Sequence, residues 1–265
     1  MAEHFPENPV HSVERALAIL EALGRKPQGY GCTELGQLLG LHKSTVHRIV
    51  STLQAYGFAE KDPNTERYKL GTKIMYLGLE ALNSLDFRKV AIPYMEELVQ
   101  ISRETVQLAV LDGNEVLIVE QALSPEAITV NLGLRSQLHC TAAGKVLLAY
   151  LPTENVVNIL KSQEIQQYTI NTITEINQMI SHLEKVRSQG FAINAEEMVE
   201  GVRAIAAPVY NHNGSVIAAL SITGPSSRLS LERIYRLVTV LKETSASISM
   251  QLGYHRGLGE NSPGK

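Results

Sequence analysis

Two short helical patterns with little more than a glycine between them constrain this chain most. Thr33 reads as the N-cap of the first helix, whose apolar face is Leu35, Leu38 and Leu39 and which stops at Gly40. Only Gly40 and Leu41 separate it from the second pattern. There Val46, Ile49, Val50 and Leu53 recur at i, i+3, i+4 and i+7, and Gly57 closes the helix. Two short helices joined by a tight glycine turn are the signature of a helix-turn-helix. An earlier helix, capped by Ser12, carries Val13, Ala16, Leu17, Leu20 and Leu23 and ends at Gly24. After the pair, Phe58 to Lys61 and Arg67 to Leu70 read as strands. The Asp62-Pro63-Asn64-Thr65 segment between them has type I turn chemistry, which makes this hairpin a wing.

Charge sharpens that reading. The whole chain carries a formal net charge of −3, which argues against a wholly basic nucleic-acid binder. Any DNA contact must come from a local patch, and the second helix supplies one. Its polar face presents Lys43, Ser44, Thr45, His47, Arg48, Ser51 and Thr52, and no acid occurs between Glu34 and Glu60. Arg48 can donate two hydrogen bonds to a guanine edge, and Ser44 and Thr45 can bond bases or phosphates. Arg67 and Lys69 on the wing can reach the backbone nearby. Thr33, Lys43, Ser44, Thr45, His47, Arg48, Arg67 and Lys69 are therefore the candidate DNA contacts.

Residues 1–11 read as a flexible arm, with Pro6 and Pro9 opposing regular structure. A winged helix-turn-helix domain is expected over 1–72, a linker helix over 73–86, a larger mixed domain over 87–253 and a polar tail over 254–265. In the larger domain, Phe87 to Ser102 reads as a helix. Val106 to Leu111 and Glu115 to Gln121 flank a hairpin turn at Asp112-Gly113-Asn114. Ile128 to Leu132 reads as a third strand. Thr141 to Leu151, Glu154 to Leu160 and Thr174 to Ser188 read as helices. Val202 to Tyr210 and Val216 to Thr223 flank Asn211-His212-Asn213-Gly214, a further hairpin, and Leu229 to Leu252 is a long last helix. Strand hairpins mixed with helices give an α+β class. The N-terminus has no signal-peptide core, no apolar run reaches membrane-spanning length, and Cys32 and Cys140 form no metal-type spacing, so a reduced, cytoplasmic protein without a membrane segment is expected.

With these segments in hand, the sequence resembles the IclR family of bacterial transcriptional regulators. The resemblance is carried by SVERALAILEAL from Ser12, LHKSTVHRIVSTLQAYGFAE from Leu41 and RYKLG from Arg67. It continues through VQLAVLDGNEVLIVEQ from Val106, LHCTAAGKVLLAYL from Leu138, GFAINAEEMVEGVRAIAAPVYN from Gly190 and ALSITGPSSRL from Ala219. It implies a GAF-like effector domain, dimers that often pair into tetramers, and repression or activation of a catabolic operon through operator DNA, with repression the expectation here. The effector it implies is a small organic acid or aromatic metabolite. It also places the effector near the start of the LHCTAAGK helix and the last two strands, where Leu132, Thr141, Ala142, Ala143, Asn194, Ala204, Ser221 and Thr223 are the matching positions. Asn194 stands where some members have an acid, and Ala204 where several have cysteine, which speaks against a glyoxylate or pyruvate ligand.

Physical chemistry supports the same region independently. Free amides at the start of the Thr141 helix favour a carboxylate. Ser221 and Thr223 alternate with Ile222, so both hydroxyls share one face of a strand. Glu196 and Glu197 suit ion pairs better than ligand contact, and Arg203 is a natural partner for one of them.

Other chemistries are disfavoured. Ala143-Gly144-Lys145 lacks the leading glycine and trailing hydroxyl of a phosphate loop. His139 and Cys140 are sequence neighbours and point apart, so they are poorly placed as base and nucleophile. A metal site using that pair and a further ligand stays open. No G-x-S-x-G elbow occurs, so neither an enzyme nor a cofactor is expected.

Overall fold

A computed structural model describes residues 10–83, 86–130, 132–162 and 165–255. The expected N-terminal arm and C-terminal tail fall largely outside them. The chain separates into two compact units, Met1–Ser84 and Leu85–Lys265.

The first unit holds α1 (His11–Arg25), α2 (Cys32–Leu39), α3 (Lys43–Ala55), β1 (Ala59–Lys61), β2 (Tyr68–Leu70) and α4 (Thr72–Asn83). Its core is Ile19, Ala22, Leu23, Leu35, Val46, Val50, Ala59 and Tyr68. Gly40 makes the tight turn possible. It caps α2 at φ 65°, a left-handed backbone that costs glycine nothing. The two wing strands pair antiparallel, with Glu60 opposite Lys69. Asp62 closes their turn by accepting the amides of Asn64 and Thr65, both at 2.9 Å. Tyr30 adds a bridge to Tyr68, which ties the wing to the loop before α2.

Several local expectations need correction. Helix α1 starts one residue before Ser12, with Val10 as its N-cap and no side-chain cap, and it runs past Gly24. Thr33 lies inside α2 rather than capping it. Gly31 is the N-cap, and the Glu34 carboxylate accepts its amide at 2.9 Å, so the acid three residues on does the capping. Leu38 is 57% exposed, because α2 is short and buries only the Leu35 and Gly36 side.

The second unit is built on one antiparallel sheet of six strands in the order β5-β4-β3-β8-β7-β6. The strands are β3 (Thr105–Asp112), β4 (Glu115–Ala122), β5 (Arg135–Gln137), β6 (Ala192–Ala195), β7 (Val202–Tyr210) and β8 (Val216–Pro225). Helices α5 (Asp86–Ser102) and α9 (Leu231–Gln251) cover one face. Helix α6 (Ala142–Ala149) covers the other, backed by α8 (Ile176–Gln189), which in turn contacts α7 (Thr153–Ser162). Every residue of α6 is buried, so it is a core helix, apolar on all sides apart from Lys145.

The third strand is not Ile128 to Leu132. Ile128 is 70% exposed and that stretch is a loop, whose residue 131 lies outside the described residues. A run of β-prone residues makes no strand without a sheet edge to pair with. Here Gly133, at φ 82°, turns the chain so that Arg135–Gln137 pairs with Glu115–Leu117 instead. Strand β6 escaped the sequence reading because four residues show too little alternation to be read.

Candidate functional site

The turn at Gly40 lays α3 across α2 with its polar face outward. Lys43, Ser44, His47 and Arg48 are exposed, and Thr45 is half-buried. The side chains of His47 and Arg48 have no hydrogen-bond or ion-pair partner among the described residues, so both are available to a ligand. His42 caps the helix through its imidazole, which accepts from the Ser44 amide at 3.4 Å and meets the Ser44 hydroxyl at 2.8 Å. Histidine is an uncommon cap, and nothing in the sequence pattern marked it.

The wing residues differ from one another. The Arg67 guanidinium donates to the Gly29 carbonyl at 3.0 Å and to Glu34 at 3.1 Å. It fastens the wing to α2 and has fewer donors left for DNA. The Gly31 amide, and after it Arg67 and Lys26, hold the Glu34 carboxyl below its usual range. Lys69 has only a loose contact with Glu60, at 3.9 Å. Thr33 is exposed on the first turn of α2.

In the second unit, sheet register gathers most of the proposed effector residues. Asn194 pairs with Ala204, Ala204 with Thr223, and Ala206 with Ser221. Directly opposed residues share a face, and this is the α6 face, since Ala204 belongs to one core with Ala142 and Ala143 of α6. Ser221 and Thr223 are 3% and 5% exposed. Asn194 is buried, with its oxygen accepting the Glu197 amide at 2.8 Å. Leu132, by contrast, is half-buried in the loop ahead of β5.

The start of α6 is partly used by the protein itself. Thr141 is its N-cap and accepts the Gly144 amide at 3.1 Å while donating to the Gln137 carbonyl at 2.7 Å. Gly144 is required there, because a Cβ would lie 2.3 Å from the Leu138 carbonyl oxygen. So of the amides expected to be free at this helix start, that of Gly144 is spoken for.

Register also adds two residues that sequence reasoning missed. Gln107 of β3 pairs with Ser221 on one side and with Gln121 of β4 on the other. Both carboxamides therefore stand on the α6 face beside the two hydroxyls. Only the long-range pairing of β3 with β8 makes them neighbours, and no local spacing signals it.

Two polar side chains of the LHCTAAGK segment, His139 and Lys145, have partners within the fold. The Lys145 side chain is fully buried. It donates to the Ile193 carbonyl at 3.0 Å and pairs with Glu197. His139 meets the Gln166 carbonyl at 3.1 Å and stacks on Tyr168. Burial pushes the Cys140 thiol up to about 12, so it is no nucleophile. Among the described residues, no group of three or more His, Cys, Asp or Glu side chains is gathered as a metal ion would need. Arg203 pairs with Glu196 at 2.7 Å, the structural partnership its spacing suggested. No described helix is long and apolar enough to cross a membrane.

Comparison with known proteins agrees with both units. Residues 12–63 match the IclR helix-turn-helix domain, and residues 79–250 match the family described as "Bacterial transcriptional regulator IclR C-terminal". The chain is 37% identical over 248 residues to the HTH-type transcriptional regulator KdgR of Escherichia coli, covering 93% of this chain and 94% of that one. It is 33% identical over 254 residues to the HTH-type transcriptional repressor AllR of the same organism, covering 95% and 94%. Among solved structures, an IclR homolog from Microbacterium hydrocarbonoxydans complexed with 4-hydroxybenzoate superposes with a TM-score of 0.80 at 28% identity, covering 91% and 98%. These relatives are regulators rather than enzymes, and their likeness runs through both units. This chain belongs to the IclR family of DNA-binding transcriptional regulators.

Proposed function

We propose that this protein is a repressor of a catabolic operon, that it binds a partly palindromic operator as a dimer or a pair of dimers, and that a small organic or aromatic acid controls it. The exposed, acid-free face of α3 carries the first part. One recognition helix per chain reads one half-site, so two chains read half-sites about one helical turn apart, roughly 34–36 Å, or a multiple of it. Met75, Tyr76, Leu77 and Leu79 stand exposed on α4. Large apolar side chains grouped on one helix support burial against a second copy. The repressor AllR among the relatives supports the sign of regulation.

The buried hydroxyls of Ser221 and Thr223 carry the second part. Polar groups on an otherwise apolar sheet face suit a small polar ligand, and the start of α6 favours its carboxylate. The 4-hydroxybenzoate bound by a structural neighbour supports an acid as the ligand class. The domain limits that go with this reading are a reader over 1–72, a linker over 73–86 and a sensor over 87–253.

The experiment is a titration of operator affinity against a panel of acids. Ser221→Ala with Thr223→Val should abolish the response and leave operator affinity intact. A ligand shifts the DNA-binding state only by its differential affinity for the two arrangements. An unchanged response in the double variant places the effector elsewhere.

A further inference from the structure

The α6 face of the sheet is more polar than two hydroxyls. Gln121, Gln107, Ser221 and Ala206 lie side by side across four strands, each directly opposed to the next. Gln107 and Gln121 are half-buried. The Gln107 oxygen is met only by the Thr223 hydroxyl, at 3.5 Å, a length at which a hydrogen bond contributes little. Its amide nitrogen has no partner, and the Gln121 carboxamide has none at all, among the described residues. A glutamine carboxamide offers two donors and two acceptors. Neither carboxamide is sealed in, since among the described residues only His182 Nε2 and one Glu197 oxygen are buried without a partner, so the unused donors and acceptors can exchange water for the hydroxyls of a ligand.

Resting on the reading that the effector sits at Ser221 and Thr223, we propose that Gln107 and Gln121 are specificity-determining residues. They select an aliphatic acid of about four to six carbons that carries hydroxyl groups along its chain. Neighbouring strands lie about 4.8 Å apart. A ligand anchored at β8 therefore meets Gln107 one strand away and Gln121 roughly 10 Å away. A two-carbon acid reaches neither end of that row at once. The row presents donors and acceptors in alternation and no aromatic side chain, so it suits successive hydroxyls better than a flat ring. A site built to bond a hydroxyl discriminates strongly against the analogue that lacks it, because its own polar groups are then left unpaired.

Calorimetric titration of the full chain tests this with length-matched acids: threonate, xylonate and gluconate against butyrate, valerate and hexanoate, with 4-hydroxybenzoate as the aromatic arm. The variants are Gln107→Met and Gln121→Met, singly, with retained operator binding as the check on folding. The expected result is that at least one hydroxylated acid binds the wild type at least tenfold tighter than its unsubstituted partner and than 4-hydroxybenzoate. Each Gln→Met variant loses about tenfold or more of that affinity, while the unsubstituted acids are unaffected. The proposal is overturned if unsubstituted or aromatic acids bind as tightly as hydroxylated ones, if both single variants keep wild-type affinity, or if no acid of the set binds. The underlying site assignment fails separately. It falls only if Ser221→Ala with Thr223→Val leaves the binding of every responsive acid unchanged, including any found in the wider operator screen.

Discussion

Lys145→Met tests whether the buried ion pair is a structural necessity of the sensor domain. The Lys145 side chain is completely enclosed in α6, and its partner Glu197 is 8% exposed. One oxygen of Glu197 receives Lys145 and, weakly, the Ala195 amide at 3.4 Å. The other has no hydrogen-bond partner among the described residues. Methionine keeps the length and apolar stem of lysine and removes only the ammonium. The carboxylate is then left buried with one long hydrogen bond, and the Ile193 carbonyl loses its 3.0 Å donor. Breaking one side of a buried pair costs about 3–5 kcal/mol. For a unit spanning Leu85–Lys265, each kcal/mol lowers Tm by about 2–4 °C. The expected fall is therefore about 6–20 °C, read by circular dichroism or calorimetry on the transition of the second unit. Lys145→Met combined with Glu197→Leu should recover most of it, since an apolar pair of similar volume is often neutral. A single variant within about 1 kcal/mol of wild type, or a double variant as unstable as the single, refutes the argument.

Three other outcomes follow from the geometry. Arg48→Ala should cost about 1–3 kcal/mol of operator binding and relax preference at one base pair, whereas Lys69→Ala should weaken all sequences alike and flatten the salt dependence; a uniform loss from Arg48→Ala in binding assays on variant operators would make Arg48 a phosphate contact. Gly144→Ala forces a Cβ to within 2.3 Å of the Leu138 carbonyl oxygen and 2.6 Å of the Thr141 hydroxyl, so the helix start must move. Overpacking of this kind costs about 1–3 kcal/mol, and a variant of unaltered urea midpoint would contradict it. His182 is pulled down to about 4, first by burial and then by Lys145 and Lys185. Its folded value lies below the unfolded one, so the unfolded chain binds the extra proton and stability is lost as pH falls from about 6.5 to 4. Comparing wild type with His182→Phe over that window should show a differential loss of roughly 2–3 kcal/mol in the wild type, and parallel profiles would remove the effect.

The sequence by itself determined the reader module and most of the second unit's elements. Those features are local. The 3.6-residue spacing of Val46, Ile49, Val50 and Leu53, the left-handed glycine at Gly40 and the turn chemistry at Asp62 each act within a few residues, so they can be read without a fold. The acid-free face of α3 was legible for the same reason. What escaped was set by partners distant in the chain. The third strand lies at Arg135–Gln137, not Ile128 to Leu132, because a free edge of β4 decides where a strand pairs. Arg67 reads as a candidate DNA contact, and only the fold shows that Glu34, 33 residues away, shares its guanidinium. Lys145 is visible in the sequence only as the end of a segment that fails as a phosphate loop, and it is Glu197, 52 residues on, that pairs with it inside the core. Gln107 had no visible role until the sheet set it between Ser221 and Gln121. Helix and turn signals are short-range and survive in one dimension. Sheet register and buried charge pairing are decided by which distant strand arrives alongside, and only the folded chain settles that.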